Sequence, residues 1–141
     1  LHAAGNEVSD LTPLSGLANL RSLYLSNNKV VDTKPIAELG KLWSLYLDGN
    51  QLAEVTNLQK LTNLSSLDLR KNAVADLSPL SGMTELRYLL LNENKVEDLG
   101  VLVEMAKGDA EGQKRFAPFW NIYVADNPLS GKTRGQETER R

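Results

Sequence analysis

A nine-residue pattern returns along this chain at intervals of 22 residues. It reads LRSLYLSNN from Leu20, LWSLYLDGN from Leu42, LSSLDLRKN from Leu64 and LRYLLLNEN from Leu86. A fixed period of this length is the sequence signature of a solenoid, in which each repeat forms one coil. One coil supplies only half of a hydrophobic core, so neighbouring coils must stack to bury it. The period therefore constrains the fold more tightly than length or composition does.

The LxL segment of each unit predicts a short β-strand, because buried and exposed positions alternate there, as in Leu23-Tyr24-Leu25. Stacked coils place these strands side by side, so we expect one parallel sheet of five to six strands. The return segments carry apolar residues three apart, such as Ile36 and Leu39, which suits a short 3₁₀ turn. Prolines recur at one position of the return, at Pro13, Pro35 and Pro79. They argue against a long helix on that side.

An asparagine recurs where the chain leaves each strand, at Asn6, Asn28, Asn50, Asn72, Asn94 and Asn127. An asparagine side chain both donates and accepts hydrogen bonds. At a turn it can therefore satisfy backbone groups of its own coil and of the adjacent coil. We interpret these residues as a structural ladder rather than as a binding site.

The repeat sets the domain boundaries. The sequence predicts one repeat domain over residues 1–130, with a partial first repeat over 1–19 and a last repeat over 119–130. Full repeats start at residues 20, 42, 64 and 86. Residues 131–141 have no apolar periodicity, so we expect a flexible tail or linker there. Because the chain begins inside a repeat, we expect it to be part of a longer protein, with an open sheet edge at its N-terminal end.

The fourth unit is 11 residues longer than the others, which predicts a helical insertion over about residues 100–118. Leu102 and Met105 have helical spacing, and Asp109 is a candidate N-cap for a second short helix. We expect the insertion to bury Phe116 and Phe119 over the last coils as a structural cap. A partner-binding projection is the alternative.

The unit LxxLxLxxNx(L/V) with this spacing resembles the leucine-rich repeat family, and in particular the bacterial internalin-type class. The resemblance covers residues 1 to about 130. It implies an α/β solenoid, a right-handed superhelix with the parallel sheet on its concave side. Its convex side would consist mostly of loops or 3₁₀ turns. The family resemblance also implies that a partner, usually a protein, binds the exposed residues of the concave face.

On that face the register identifies eight candidate partner-binding residues: Tyr24, Trp43, Tyr46, Asp48, Asp68, Arg70, Tyr88 and Tyr123. Tyr, Trp and Arg are the residue types most often found at interface hot spots, because they combine a large contact area with a polar group. Simple packing of neighbouring tyrosines along the sheet is the competing interpretation for Tyr24 and Tyr46. For Arg70 and its acidic neighbours, we expect a solvated ion pair that contributes little to stability.

Composition disfavours several functions. The net charge of −2 gives no basic stripe for nucleic acid, and the absence of cysteine removes thiolate chemistry. The chain has one histidine and no phosphate-binding loop, so we expect no catalytic site, cofactor or metal site. No apolar run reaches the roughly 20 residues that a membrane-spanning helix needs. Carboxylates recur before the return turns, at Asp10, Asp32, Glu54, Asp76 and Asp98. We expect them to cap those turns rather than to act as acids or bases.

The sequence thus predicts a non-catalytic module for protein–protein recognition. The alternatives are a structural spacer within a larger surface or secreted protein, and a regulatory domain of a multidomain enzyme. The family resemblance favours a bacterial secreted, periplasmic or cell-surface location over the cytoplasm. The open N-terminal edge also offers a template on which a second copy could pair.

Overall fold

A computed structural model describes residues 1–111 and 120–129 of the chain. Its five strands are β1 (Ser22–Tyr24), β2 (Ser44–Tyr46), β3 (Ser66–Asp68), β4 (Tyr88–Leu90) and β5 (Asn121–Tyr123). They form one parallel sheet in chain order. His2 adds an isolated parallel bridge to Tyr24 at the edge of β1. The parallel sheet that the 22-residue period predicts is therefore confirmed.

Equivalent residues of successive coils lie directly opposite one another in this sheet. Leu23 pairs with Leu45, which pairs in turn with Leu67, and the same register continues through Leu89 to Ile122. All of these middle residues are buried, whereas their neighbours on the strand face away from the core. Each coil closes the core of the one before it, which is how strands of three residues can hold a sheet together.

The side opposite the sheet consists of 3₁₀ turns, as the spacing of its apolar residues predicts. They span Thr12–Leu14, Lys34–Ile36, Thr56–Leu58 and Ser78–Leu80. Three of them contain a proline in the first two positions, where its missing N–H is not needed. The last residue of each of the three later turns is buried in the core.

Aspartates just before the turns have the capping role expected of them. The Oδ1 atoms of Asp10, Asp32 and Asp76 each accept the backbone N–H two residues ahead, at 2.9 Å. Asp98 Oδ1 likewise accepts the N–H of Gly100 at 2.7 Å, where the inserted helix begins. The capping prediction is thus confirmed for these four carboxylates.

Among the described residues the insertion contains one helix, α1 (Gly100–Glu111), which begins where a fifth 3₁₀ turn would lie, 22 residues after the turn at Ser78–Leu80. Leu102 and Val103 are buried, so the helix packs against the core as expected. Asp109 lies inside the helix, and the prediction that it caps a second helix is wrong. The preference of aspartate for an N-cap does not apply within a helix that continues through it. Phe116, Phe119 and the predicted tail over 131–141 lie outside the described residues.

The asparagine ladder fixes each turn to the preceding coil. Asn50 Nδ2 donates to the carbonyls of Leu25 and Leu47, both at 2.9 Å, and Asn50 Oδ1 accepts the N–H of Val30 at 2.9 Å. The same contacts recur at Asn28, Asn72, Asn94 and Asn127. Asn6, in the incomplete first coil, is exposed and bonds only to carbonyls of its own turn. These hydrogen bonds support the structural role predicted for the ladder, which stays a prediction, and at Asn6 the contacts are confined to its own turn.

The residue before each ladder asparagine adopts a left-handed backbone conformation. Its φ is +57° at Asn27, +69° at Gly49 and +56° at Lys71. At Gly49 the conformation is combined with crowding, since a Cβ atom there would overlap the side chain of Asn27. A glycine thus suits this coil because it relieves both backbone strain and a close approach.

We predict that Asn50→Ala lowers the free energy of unfolding by about 1–3 kcal/mol, because it leaves buried backbone groups without partners. Asn6→Ala is the matched control and should change it by less than about 0.5 kcal/mol, since that side chain is exposed. Urea denaturation followed by circular dichroism measures both effects. Equal stability of the Asn50→Ala and parent proteins would contradict the ladder assignment.

The aspartate caps also predict a dependence of stability on pH. Hydrogen bonds from the backbone and hydroxyl of Ser78 hold the pKa of Asp76 below its ordinary value of 3.8. A carboxyl whose pKa is lower in the folded state stabilises the fold above its unfolded pKa, and this contribution is lost as the pH falls through the folded pKa. Asp76→Ala should therefore lower the urea midpoint at neutral pH by more than it does in acid below the ordinary pKa. If the decrease in urea midpoint stays constant or grows as the pH falls, the capping role of Asp76 is contradicted.

Candidate functional site

The outward side chains of the five strands, with the residues that flank them, form one continuous surface, called here the sheet face. Its central column contains His2, Tyr24, Tyr46, Asp68, Leu90 and Tyr123, with neighbouring strands in register. The sheet register places all eight sequence-predicted site residues on or beside this surface. The structure distinguishes among them by exposure and by contacts.

Tyr24 and Tyr46 form an aromatic ladder with His2. The rings of His2 and Tyr24 stack with centroids 4.3 Å apart and planes 12° apart. Tyr46 meets Tyr24 edge to face, with centroids 4.8 Å apart. Both tyrosines are half-buried. These contacts occupy ring surface of Tyr24 on both sides and contribute to packing between coils.

Three other aromatic side chains offer more surface to a partner. Trp43 is 59 % exposed, and Tyr88 and Tyr123 are each 50 % exposed. Trp43 directly precedes β2, Tyr88 begins β4 and Tyr123 ends β5, so they are spread across the sheet face. Aromatic side chains at this level of exposure can still bury a large apolar area when a partner binds.

The charged residues of the sheet face form a compact cluster. Arg70 Nε lies 2.9 Å from Asp68 Oδ1, and Arg70 Nη2 lies 2.7 Å from Asp68 Oδ2, so the two side chains form a two-pronged ion pair. Arg70 Nη2 is also 4.0 Å from Asp48 Oδ2, and the Ser26 hydroxyl donates to Asp48 Oδ1 at 2.6 Å. The hydrogen bonds to Asp68 raise the pKa of Arg70 above its ordinary value, so the guanidinium stays charged.

The expectation that Arg70 and Asp68 form a solvated pair is wrong for the carboxylate. The side chain of Asp68 is only 2 % exposed, whereas that of Arg70 is 44 % exposed. Arg70 is two residues further along the chain and folds back over Asp68, which also accepts the backbone N–H of Arg70 at 3.1 Å. Asp68 is thus a buried charge below a half-exposed guanidinium.

A groove of about 210 Å³ lies beside this ion pair. It is lined by Tyr46, Ser66, Leu67, Asp68, Tyr88 and Leu90. Sequence reasoning named three of these six residues as site candidates and missed the other three, Ser66, Leu67 and Leu90. The available signal was the register, which places the short Asp68 of β3 between Tyr46 and Leu90 and the small Ser66 beside Tyr88.

Other side chains give little support for chemistry on this surface. Throughout 1–111 and 120–129, no three His, Asp or Glu side chains come close enough together to hold a metal ion. His2 is exposed and stacks on Tyr24. None of the helices within these described residues has the length and hydrophobicity of a membrane-spanning segment.

Comparison with solved structures finds the same architecture. Internalin C2 from Listeria monocytogenes str. 4b F2365 is 30 % identical, with a TM-score of 0.68, over 88 % of this chain and 48 % of that one. An internalin (inlF) from the same strain is 25 % identical, with a TM-score of 0.73, over 89 % and 40 %. A leucine-rich repeat protein of Leptospira interrogans shares the fold with a TM-score of 0.78 at 22 % identity, over 95 % and 33 %. The chain therefore spans less than half the length of each of these proteins.

Sequence comparison identifies the family. None of the curated protein sequences shows significant similarity to this chain. The family model "Leucine Rich repeats (2 copies)" matches residues 1–38, 41–82 and 62–104, which together make up more than half of the 141 residues. The chain belongs to the leucine-rich repeat family.

Proposed function

We propose that this chain is a non-catalytic recognition module that binds a protein partner on its sheet face, the concave face of the solenoid. The leucine-rich repeat fold is generally used for protein–protein recognition. What supports this face as the site is its combination of exposed aromatic residues with a charged cluster. Trp43, Tyr88 and Tyr123 are the residue types found at hot spots, and each is at least 50 % exposed.

The charge of the sheet face also favours a protein over nucleic acid. A nucleic-acid surface uses lysine and arginine to neutralise phosphates along a stripe. Here Asp48 and Asp68 outnumber Arg70 at the centre of the face. Aromatic residues and arginine are enriched at protein interfaces, and this face has both.

A non-catalytic role is supported by what the polar side chains do. Four of the recurring aspartates cap turns, and Asp68 is held by Arg70. The capping aspartates stabilise the fold, and neither they nor Asp68 are paired with a second group that could exchange a proton with a substrate. We propose no cofactor and no bound metal for this module.

The likeness to bacterial internalins favours a secreted, periplasmic or cell-surface location for this module. Pairing of two copies at the N-terminal edge stays a prediction. In the structure the backbone of Leu1 and Ala3 bonds to Tyr24 of β1, so a second copy would have to pair with this short first segment.

The proposal predicts that Trp43→Ala/Tyr88→Ala removes binding while the fold is retained, because both side chains are exposed. The variant should fail to capture the proteins that the parent captures from lysate and culture medium of the source organism, because its affinity for them should be at least roughly tenfold weaker. Leu17→Ser/Val31→Ser is the matched control, since those apolar side chains are equally exposed and lie away from the sheet strands. Capture by the control but not by the variant is the expected result. If parent and variant capture the same proteins, or nothing is captured, the spacer alternative is favoured.

Tyr24→Ala/Tyr46→Ala distinguishes packing from binding within the aromatic ladder. The half-buried rings contact each other, so we expect this variant to lose about 0.2–1 kcal/mol of stability per ring pair. If the ladder also contacts the partner, the affinity for the captured protein falls as well. Isothermal titration with that protein and thermal unfolding measure the two effects separately. Unchanged affinity would remove Tyr24 and Tyr46 from the site.

A further inference from the structure

We propose that the groove between Tyr46 and Tyr88 receives a lysine or arginine side chain of the protein partner. This inference rests on the proposed function, since it names the chemistry of one anchor residue at the same face. Its starting point is shape. Tyr46, Asp68 and Leu90 are paired neighbours in the sheet, and Ser66 is paired with Tyr88. The short Asp68 therefore lies between the larger Tyr46 and Leu90, and the small Ser66 lies beside Tyr88, which leaves the recess of about 210 Å³.

The central column gives a second observation. At the other strands this column carries aromatic or apolar residues, and only β3 has a carboxylate there. Burying a charged pair costs desolvation free energy, and apolar replacements at such positions are often neutral or stabilising. Packing of the sheet therefore does not explain why this position of the column is a carboxylate. A local departure from an otherwise consistent pattern is typical of a functional position.

Charge decides which kind of side chain fits. Asp48 and Asp68 carry two negative charges near the groove, and Arg70 supplies one positive charge, with its Nη2 at 4.0 Å and 2.7 Å from their carboxylates. The cluster thus has one uncompensated negative charge. Because the side chain of Asp68 is 2 % exposed and that of Asp48 is 18 % exposed, water screens this charge less than it would at an open surface.

The walls suit a basic side chain better than the alternatives. The faces of tyrosine rings attract cations, and Tyr46 and Tyr88 both line the groove. Leu90 provides an apolar surface for the methylene groups of a lysine or arginine. A carboxylate entering beside Arg70 would meet two carboxylates already there. A purely apolar side chain would remove water from the ion pair without replacing its interactions.

The probe for a direct test is the blocked tripeptide acetyl-Gly-Lys-Gly-amide, titrated into ¹⁵N-labelled protein and followed by amide chemical shifts. The control peptide replaces lysine by norleucine, which keeps the methylene chain and lacks the ammonium group. We expect the lysine peptide to shift the amides of Ser66, Leu67 and Tyr88, and to bind at least about tenfold more tightly than the norleucine peptide. Its affinity should fall as the salt concentration rises.

Two variants check that the groove is responsible. Asp68→Leu introduces leucine, the residue found at the paired position Leu90 of β4, and so removes the buried charge. The affinity for the lysine peptide should then fall at least about tenfold. Thermal unfolding should show no loss of stability, because the half-exposed Arg70 remains hydrated and close to Asp48. Tyr88→Ala removes an exposed wall, with little risk to folding, and should also weaken binding. The control variant is Glu38→Gln, which alters a carboxylate that pairs with Lys60 on the side opposite the sheet. It should leave the affinity for the lysine peptide unchanged.

Equal binding of the lysine and norleucine peptides, or unchanged binding by Asp68→Leu, would overturn the basic-anchor inference. The proposed function fails separately. A captured partner that depends on Trp43 and Tyr88 but not on Asp68 would support sheet-face recognition and refute the basic anchor. Lysine-peptide binding in the groove without any captured partner would support the anchor site and count against the recognition module.

Discussion

The hydrogen bonds of the ladder asparagines are the interaction on which the rest of this structure depends. A coil of 22 residues must turn away from the sheet at the same place each time, and that turn leaves backbone groups facing the core. Asn50 satisfies carbonyls of two coils and the N–H of Val30 with one side chain. Because the asparagines hold each coil to the one before it, the sheet register is fixed from inside the molecule. The outward side chains of the sheet are then free to vary without loss of the fold.

The period in the sequence was sufficient to predict the sheet, its register, the 3₁₀ turns and the aspartate caps. These elements follow from local rules that repeat in every coil. The structure added what depends on side-chain direction. Sequence register places Asp68 on the outward side of its strand, and the structure shows it buried between Tyr46 and Leu90 and paired with the guanidinium of Arg70. Spacing within the insertion identified a helix but not its extent, since α1 continues through Gly108 and Asp109.

The sheet face divides into a packed part and an available part. At the first coils, His2 stacks on Tyr24 and Tyr46 meets Tyr24 edge to face, and these rings contribute to cohesion between coils. At β3 this aromatic column is interrupted by Asp68, and a groove with charged and aromatic walls takes its place. The division leaves Trp43, Tyr88 and Tyr123 with more exposed surface than Tyr24 and Tyr46. It also explains why the small residue Ser66, which has no chemical signature in the sequence, helps to define the candidate site.

Hydroxyl-radical footprinting of the module with its captured protein partner tests the location of the binding surface most directly. Exposed aromatic and aliphatic side chains react with the radical, and a partner protects those that it covers. The account predicts that Trp43 and Tyr88, which are 59 % and 50 % exposed, lose reactivity in the complex. Leu17 and Val31, which are 45 % and 59 % exposed away from the strands, should keep theirs. Protection of Leu17 and Val31 with Trp43 and Tyr88 still reactive would contradict recognition through the sheet face.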